Sequence, residues 1–170
     1  MADDDTNAAP EGVVPNGEDT AAQIGLIAQY VKDLSFENPN APGVYQAQVQ
    51  PQIDVQFHIG VAPVADDIHE VTMKIEIRAT GDANATMFAV ELVYAGLFGA
   101  RNVEADALAP FLYAEAPRLL FPFARRIIAE TVRDGNFPPM LLDPIDFGAM
   151  YLQQVQAAGQ LAESEPAGQA

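Results

Sequence analysis

Side chains able to do acid, base or metal chemistry are few in this sequence. Two histidines stand at His58 and His69, two serines at Ser35 and Ser164, and no cysteine occurs. Thiolate catalysis, disulfides and cysteine-ligated metals are thereby excluded, and the lack of cysteine fits the cytosol. His58 occupies the polar slot between Phe57 and Ile59 in an alternating run, so it is expected to face solvent. His69 and Glu70, with Asp66 and Asp67 nearby, form a charged loop whose spacing matches no metal-ligand pattern. Gly96 and Gly99 lie at a strand end without the Lys-Ser or Lys-Thr pair of a phosphate-binding loop. Asp33 and Glu37 share a strand face but stand about 13 Å apart at roughly 3.3 Å per residue. That is too far for a catalytic acid–base pair. No catalytic residue, cofactor or metal is expected, and the carboxylates make better sense as a recognition surface.

The elements that must carry these residues follow from the hydrophobic period. Residues 23–37 alternate loosely, with Ile24, Leu26, Ala28, Tyr30, Leu34 and Phe36 assigned to one face and Asp33, Ser35 and Glu37 to the other. Turn formers fill 38–43, which must be a loop. Ile53, Val55, Phe57, Ile59 and Val61 mark a second strand, and Val71, Met73, Ile75 and Ile77 a third. Turns are expected at 62–67 and 81–84, and a fourth strand at 86–98. In that last strand Phe88, Val90, Leu92 and Tyr94 occupy one face, while Ala89, Val93, Ala95 and Leu97 put apolar groups on the other. A strand apolar on both sides is covered on both. In a domain this small the second cover is expected to be another subunit. Glu91 is the charged exception on that outer face.

After Arg101 the period lengthens toward 3.6. A helix is expected to end near Ala116-Pro117, and a second to span 117–133 with Gly135 as its stop. An extended apolar connection follows at 136–142, and Asp143 before Pro144 fits the cap of a final helix reaching about Ala158. The fold class is α+β: a four-stranded antiparallel sheet followed by helices.

The chain has 170 residues, the size of one domain, and 49% are apolar while 19% are charged. Its formal charge is −16, from 24 acidic and 8 basic side chains, which disfavours nucleic acid and anionic membranes as partners. Residues 1–20 carry six of those acids and no Lys or Arg, and read as a disordered acidic N-terminal tail. Residues 21–158 form the folded domain, and 159–170 read as a flexible acidic C-terminal tail. The N-terminal sequence shows no secretory signal. The longest apolar run, residues 92–100, is nine residues, about half of what a spanning helix needs.

One string is specific. Tyr30-Val31-Lys32-Asp33-Leu34-Ser35-Phe36-Glu37-Asn38-Pro39-Asn40-Ala41-Pro42 resembles the signature of the SecB export-chaperone family. Further matching strings follow in order: Ala65-Asp66-Asp67 with Glu70-Val71, Ala95-Gly96-Leu97-Phe98, Leu120-Phe121-Pro122-Phe123-Ala124-Arg125, and Gly135-Asn136-Phe137-Pro138-Pro139. The resemblance covers residues 23–152 and leaves the tails outside.

The resemblance implies an ATP-independent cytoplasmic holdase, a homotetramer built as a dimer of dimers, with helices packed on one face of the sheet. Such a protein keeps unfolded preproteins translocation-competent and delivers them to the motor SecA. The family's SecA-docking surface maps onto Asp33, Glu37 and Glu91, and any zinc there belongs to the motor's small basic tail. Ala89 replaces a larger apolar residue of some relatives beside that surface. The family's client groove, carried over by position, takes Phe36, Val49, Ile53, Val55, Phe57, Met140, Leu142, Phe147 and Tyr151. Ile53, Val55 and Phe57 serve equally well as core by their alternation alone. Without the resemblance, an acidic adaptor lacking holdase activity explains the charge, though not the apolar outer face of the fourth strand.

Overall fold

The computed structural model describes residues 20–164, so the acidic tail expected at 1–20 lies, but for Thr20, outside the described residues. Four strands, β1 (Gln23–Glu37), β2 (Gln52–Ala65), β3 (Ile68–Thr80) and β4 (Thr86–Arg101), pair antiparallel in the order β1-β4-β3-β2. The turn expected at 62–67 shrinks to Asp66-Asp67, because Ala65 still pairs with Ile68 and Asp67 takes a left-handed conformation with φ 56°. A register shift at Pro63/Ala65 absorbs the twist that such a turn imposes.

Helices cover one face of the sheet. The break expected at Ala116-Pro117 is absent: α1 (Ala105–Pro110), a π-helical turn (Phe111–Glu115) and α2 (Ala116–Asp134) form one continuous helical path. Ala116 donates its N–H to the Phe111 carbonyl, one residue farther back than in an α-helix. The wider turn makes room for the ring of Pro117, which in a regular helix would clash with a carbonyl four residues earlier. The sequence signal was a real helix breaker, met by a local change of helix type.

The α2 residues facing the sheet are Ala116, Leu120, Ala124, Ile128 and Val132, a four-residue spacing, and each is 0% exposed. They pack against Met73, Ile75 and Ile77 of β3 and Phe88, Val90, Leu92 and Phe98 of β4, forming one core. The long helix ends in a Schellman motif, with Phe137 N–H bonded to Val132 O at 3.3 Å and Asn136 N–H to Arg133 O at 2.9 Å. The left-handed residue of that cap is Asn136, φ 63°, while Gly135 keeps φ −74°. Gly135 is required for a different reason: any Cβ there would overlap the ring of Phe36.

The final helix, α3 (Phe147–Ser164), starts three residues later than expected, at Phe147 instead of Pro144, and extends past Ala158. Asp146 caps it, accepting the Ala149 N–H at 2.9 Å. The cap thus moves from Asp143 to Asp146, in a segment flanked by the buried side chains of Leu142 and Phe147.

Strand β1 departs from simple alternation. Register shifts at Leu26/Ala28 and Val31/Asp33 mark bulges that reverse its phase twice. Ala28 and Tyr30, expected beside Phe36, instead pair with Leu97 and Ala95 on the outer face. There Tyr30 donates its hydroxyl to Glu70 Oε1 at 2.6 Å, and Lys32 Nζ binds Glu70 Oε2 at 2.7 Å, bridging β1 to β3 across β4. Bonding to Lys32 and then to Tyr30 holds the Glu70 carboxyl below its ordinary range, while the same bond to Glu70 raises the Tyr30 phenol. A depressed carboxyl contributes stability above the unfolded-state value and loses it as pH falls through the folded one. Tyr30→Phe is therefore expected to cost about 1 kcal/mol at neutral pH. The penalty should shrink in acid as Glu70 protonates, and urea unfolding at the two pH values measures it.

Candidate functional site

Two surfaces carry the residues singled out by the sequence, one on each side of the sheet. On the helical side, an apolar groove of about 410 Å³ opens between the 44–53 segment and the α2–α3 connection. Val44, Tyr45, Val49 and Ile53 form one wall, Met87 and Phe88 the floor, and Phe137, Pro138 and Met140 the other wall.

The signature string builds this groove more than it lines it. Asn38 donates its amide to the Tyr45 hydroxyl at 2.7 Å, and that hydroxyl donates to Gly135 O at 3.0 Å. Asn40 donates to Thr86 O at 2.8 Å, and its own carbonyl accepts the Val44 N–H at 2.9 Å. These bonds pin the loop so that Val44 inserts into the core and the Tyr45 ring leans on Phe137, with centroids 5.7 Å apart. Phe137 in turn packs on Phe88 at 4.8 Å, and Phe88 on Phe36 at 6.2 Å. A row of four aromatic rings thus runs from one wall under the floor to β1.

The expected client residues divide among three places. Val49, Ile53 and Met140 line the groove, and Phe36 backs its floor through Phe88. Val55 and Phe57 are half-buried on the helical face of β2, where Phe57 meets Phe121 at 6.3 Å, while Leu142 and Phe147 are buried at 6% and 3% exposure. Tyr151 stacks on Tyr113 of the π turn at 5.8 Å. Tyr45, Met87, Phe88 and Phe137 line the groove without having been singled out as contacts. Phe137 stands in a matched string and Phe88 in an apolar strand phase, but nothing in the pattern of 43–49 marks Tyr45 as a wall.

The other surface is the uncovered face of the sheet. Glu91 of β4 is paired with Ser35 on β1 and Glu76 on β3, while Asp33 and Glu37 lie two residues to either side of Ser35. The three expected docking carboxylates therefore share one face. Asp54, Glu76 and Arg78 join Glu37 and Glu91 around a shallow depression of about 320 Å³. Lys74 Nζ sits 3.2 Å from both Glu76 Oε1 and Glu91 Oε1, and Glu76 first, then Glu91, raise its ammonium above the ordinary lysine range.

Ala89, Val93 and Leu97, expected at a subunit contact, are half-buried on this face, and Ala95 is 0% exposed between its paired neighbours Tyr30 and Thr72. Larger apolar side chains stand exposed elsewhere: Leu26, Val31 and Leu34 on edge strand β1, and Leu119 and Phe123 on the outer side of α2.

His58 is exposed on the outer face opposite Lys74, and His69 is half-buried opposite Phe98. Among the described residues no group of three or more His, Asp or Glu side chains could hold a metal ion, and no helix is long and apolar enough to cross a membrane.

Residues 17–158 match the family model described as preprotein translocase subunit SecB. The protein-export protein SecB of Rhizorhabdus wittichii is 62% identical over 167 residues, covering 98% of this chain and 99% of that one. The protein of the same name from Zymomonas mobilis is 59% identical over 152 residues, covering 89% and 92%. Among solved structures, a SecB-like chaperone of Mycobacterium tuberculosis, in complex with a peptide from an antitoxin, shares the fold with TM-score 0.59. Its sequence identity is 14%, and the match covers 72% of this chain and 90% of that one.

Proposed function

The chain belongs to the SecB family of protein-export proteins, and from that premise we propose that it is an ATP-independent cytoplasmic holdase. It binds unfolded preproteins, keeps them translocation-competent and delivers them to SecA, catalysing no reaction of its own. The observation that carries this reading is the 410 Å³ groove, whose walls are apolar side chains and whose backbone is pinned by side-chain hydrogen bonds. Burying one large apolar side chain contributes roughly 1.5–3 kcal/mol, so a groove of this size holds one short segment weakly and with little sequence preference. Folded proteins hide such segments and escape.

Weak grooves become an effective trap when several act on one chain, which gives the proposed homotetramer, a dimer of dimers, its purpose. The exposed apolar residues of β1 and α2, together with Leu97 at the far end of β4, are the surfaces we assign to assembly; Ala95 is fully covered within the chain, and Ala89 and Val93 flank Glu91 on the docking face. Asp33, Glu37 and Glu91 supply the acidic face for the basic segment of SecA. Apolar capture and acidic docking lie on opposite sides of the sheet, so a loaded chaperone can still meet the motor.

The test is to dilute an unfolded secretory precursor into buffer with a stoichiometric amount of the protein and no nucleotide. Refolding should be delayed markedly. Refolding at the unassisted rate, with SecA binding retained, would identify an acidic adaptor in place of a holdase.

A further inference from the structure

Of the three docking carboxylates, Glu91 is the one that a cation of the same chain holds, among the described residues. Lys74 Nζ lies 3.2 Å from Glu91 Oε1 and 3.2 Å from Glu76 Oε1. The arrangement has a clear cause. Glu76 and Glu91 are directly paired across β3 and β4, where like charges repel, and Lys74, two residues along β3, places its ammonium between them. The neighbouring cation, Arg78, is instead turned to Thr86, donating to its hydroxyl at 2.9 Å.

We propose that Lys74 is a built-in competitor at the docking face: its ammonium occupies the Glu91 carboxylate that a basic segment of the motor must engage. Docking then exchanges an internal ion pair for an intermolecular one. Two consequences follow from that exchange. Affinity is held down, because the partner must displace Lys74 before it gains Glu91. Salt dependence at this position is shallow, because the number of ion pairs does not change on binding. The lysine lowers affinity and keeps the complex easy to dissolve, which suits a carrier that must leave the motor after each delivery. The inference rests on the docking reading above.

The experiment measures binding of purified SecA to the full-length protein by calorimetry at low and physiological salt. The variants are Lys74→Met, which keeps the aliphatic stem, Lys74→Arg, Glu91→Gln, and Lys74→Met combined with Glu91→Gln. Lys74→Met should bind SecA about two- to fivefold more tightly at low salt, the range expected from freeing one exposed pair. Its affinity should fall more steeply with salt than the parent's, because a new pair now forms on docking. Lys74→Arg should behave like the parent, and in the Glu91→Gln background the Met substitution should lose most of its gain. Unchanged or weaker binding by Lys74→Met, while Glu91→Gln weakens docking, overturns the competitor role alone. A gain that persists undiminished in the Glu91→Gln background overturns it too, since net charge would then suffice. If Glu91→Gln leaves SecA affinity unchanged, both the competitor role and the docking reading fall.

Discussion

Replacing Gly96 by valine is expected to destabilise the fold by about 2–3 kcal/mol, although valine is the better strand former. Gly96 lies on the helical face of β4, and a Cβ there would stand 2.8 Å from Leu120 Cδ2 and 2.9 Å from Phe98 Cε2. Neither neighbour can yield. Leu120 and Phe98 are both 0% exposed, and Phe98 is held edge-on by Phe111 at 5.8 Å. Two effects favour the substitution, a lower unfolded-chain entropy and a higher β propensity, each contributing up to about 1 kcal/mol. Two added γ-methyl groups pressed into a filled core outweigh them. Leu120→Ala alone should cost about 2–5 kcal/mol by leaving a cavity. The double variant should be more stable than the two losses predict, by at least about 1 kcal/mol, because the valine fills the space that the alanine vacates. Urea unfolding at fixed protein concentration measures all three. Strict additivity would mean that helix and sheet are farther apart at this point than the close approach of Leu120 requires.

This contact also shows which parts of the molecule could be read from residue patterns. Regular alternation in β2 and β3 announces itself, since each is the trace of one apolar face leaving water, and β4 is legible as a run apolar on both faces. Gly96 is not, because its reason is the nearness of a side chain from an element that begins twenty residues later. The bulges of β1 fail for the same kind of reason. Nothing local says that Ile27 and Lys32 drop out of register, so the alternation carries Tyr30 to the wrong face. The true partners of Tyr30 and Lys32 meet at Glu70, about forty residues away.

The acidic face was legible because Asp33 and Glu37 lie beyond the second bulge of β1, and Glu91 lies in the stretch of β4 whose pairing with β3 is unbroken. The groove was legible only in part. Its apolar members are the same residue types that fill the core, and Leu142 and Phe147 prove buried while Ile53 is 42% exposed. Tyr45 was invisible because its position depends on two asparagine side chains bonding across the loop. Asn38 and Asn40 belong to the first of the matching strings, which builds the scaffold of the groove, while Phe137 and Pro138 of the last string form part of its lining.

Ile53→Asp is expected to cost unfolded-chain binding far more than it costs binding of a short peptide. Ile53 lines the groove wall while remaining 42% exposed, so the substitution should leave the fold within about 1 kcal/mol of the parent. A client side chain facing this wall loses part of the roughly 1.5–3 kcal/mol of apolar burial and meets a carboxylate that must shed water without a partner. The loss per groove should then be about 1.4 kcal/mol, or tenfold in the affinity of a short apolar peptide. In the proposed homotetramer a long unfolded precursor would span several grooves, each engaged groove contributing its own factor. With two engaged grooves the penalty becomes about a hundredfold, and it grows with every further one. Peptide and full-length precursor titrated against parent and variant give the two ratios directly, with SecA affinity as the control for an undamaged outer face. Equal ratios for peptide and precursor would show that one groove acts at a time, and unchanged binding of both would remove this groove from client capture altogether.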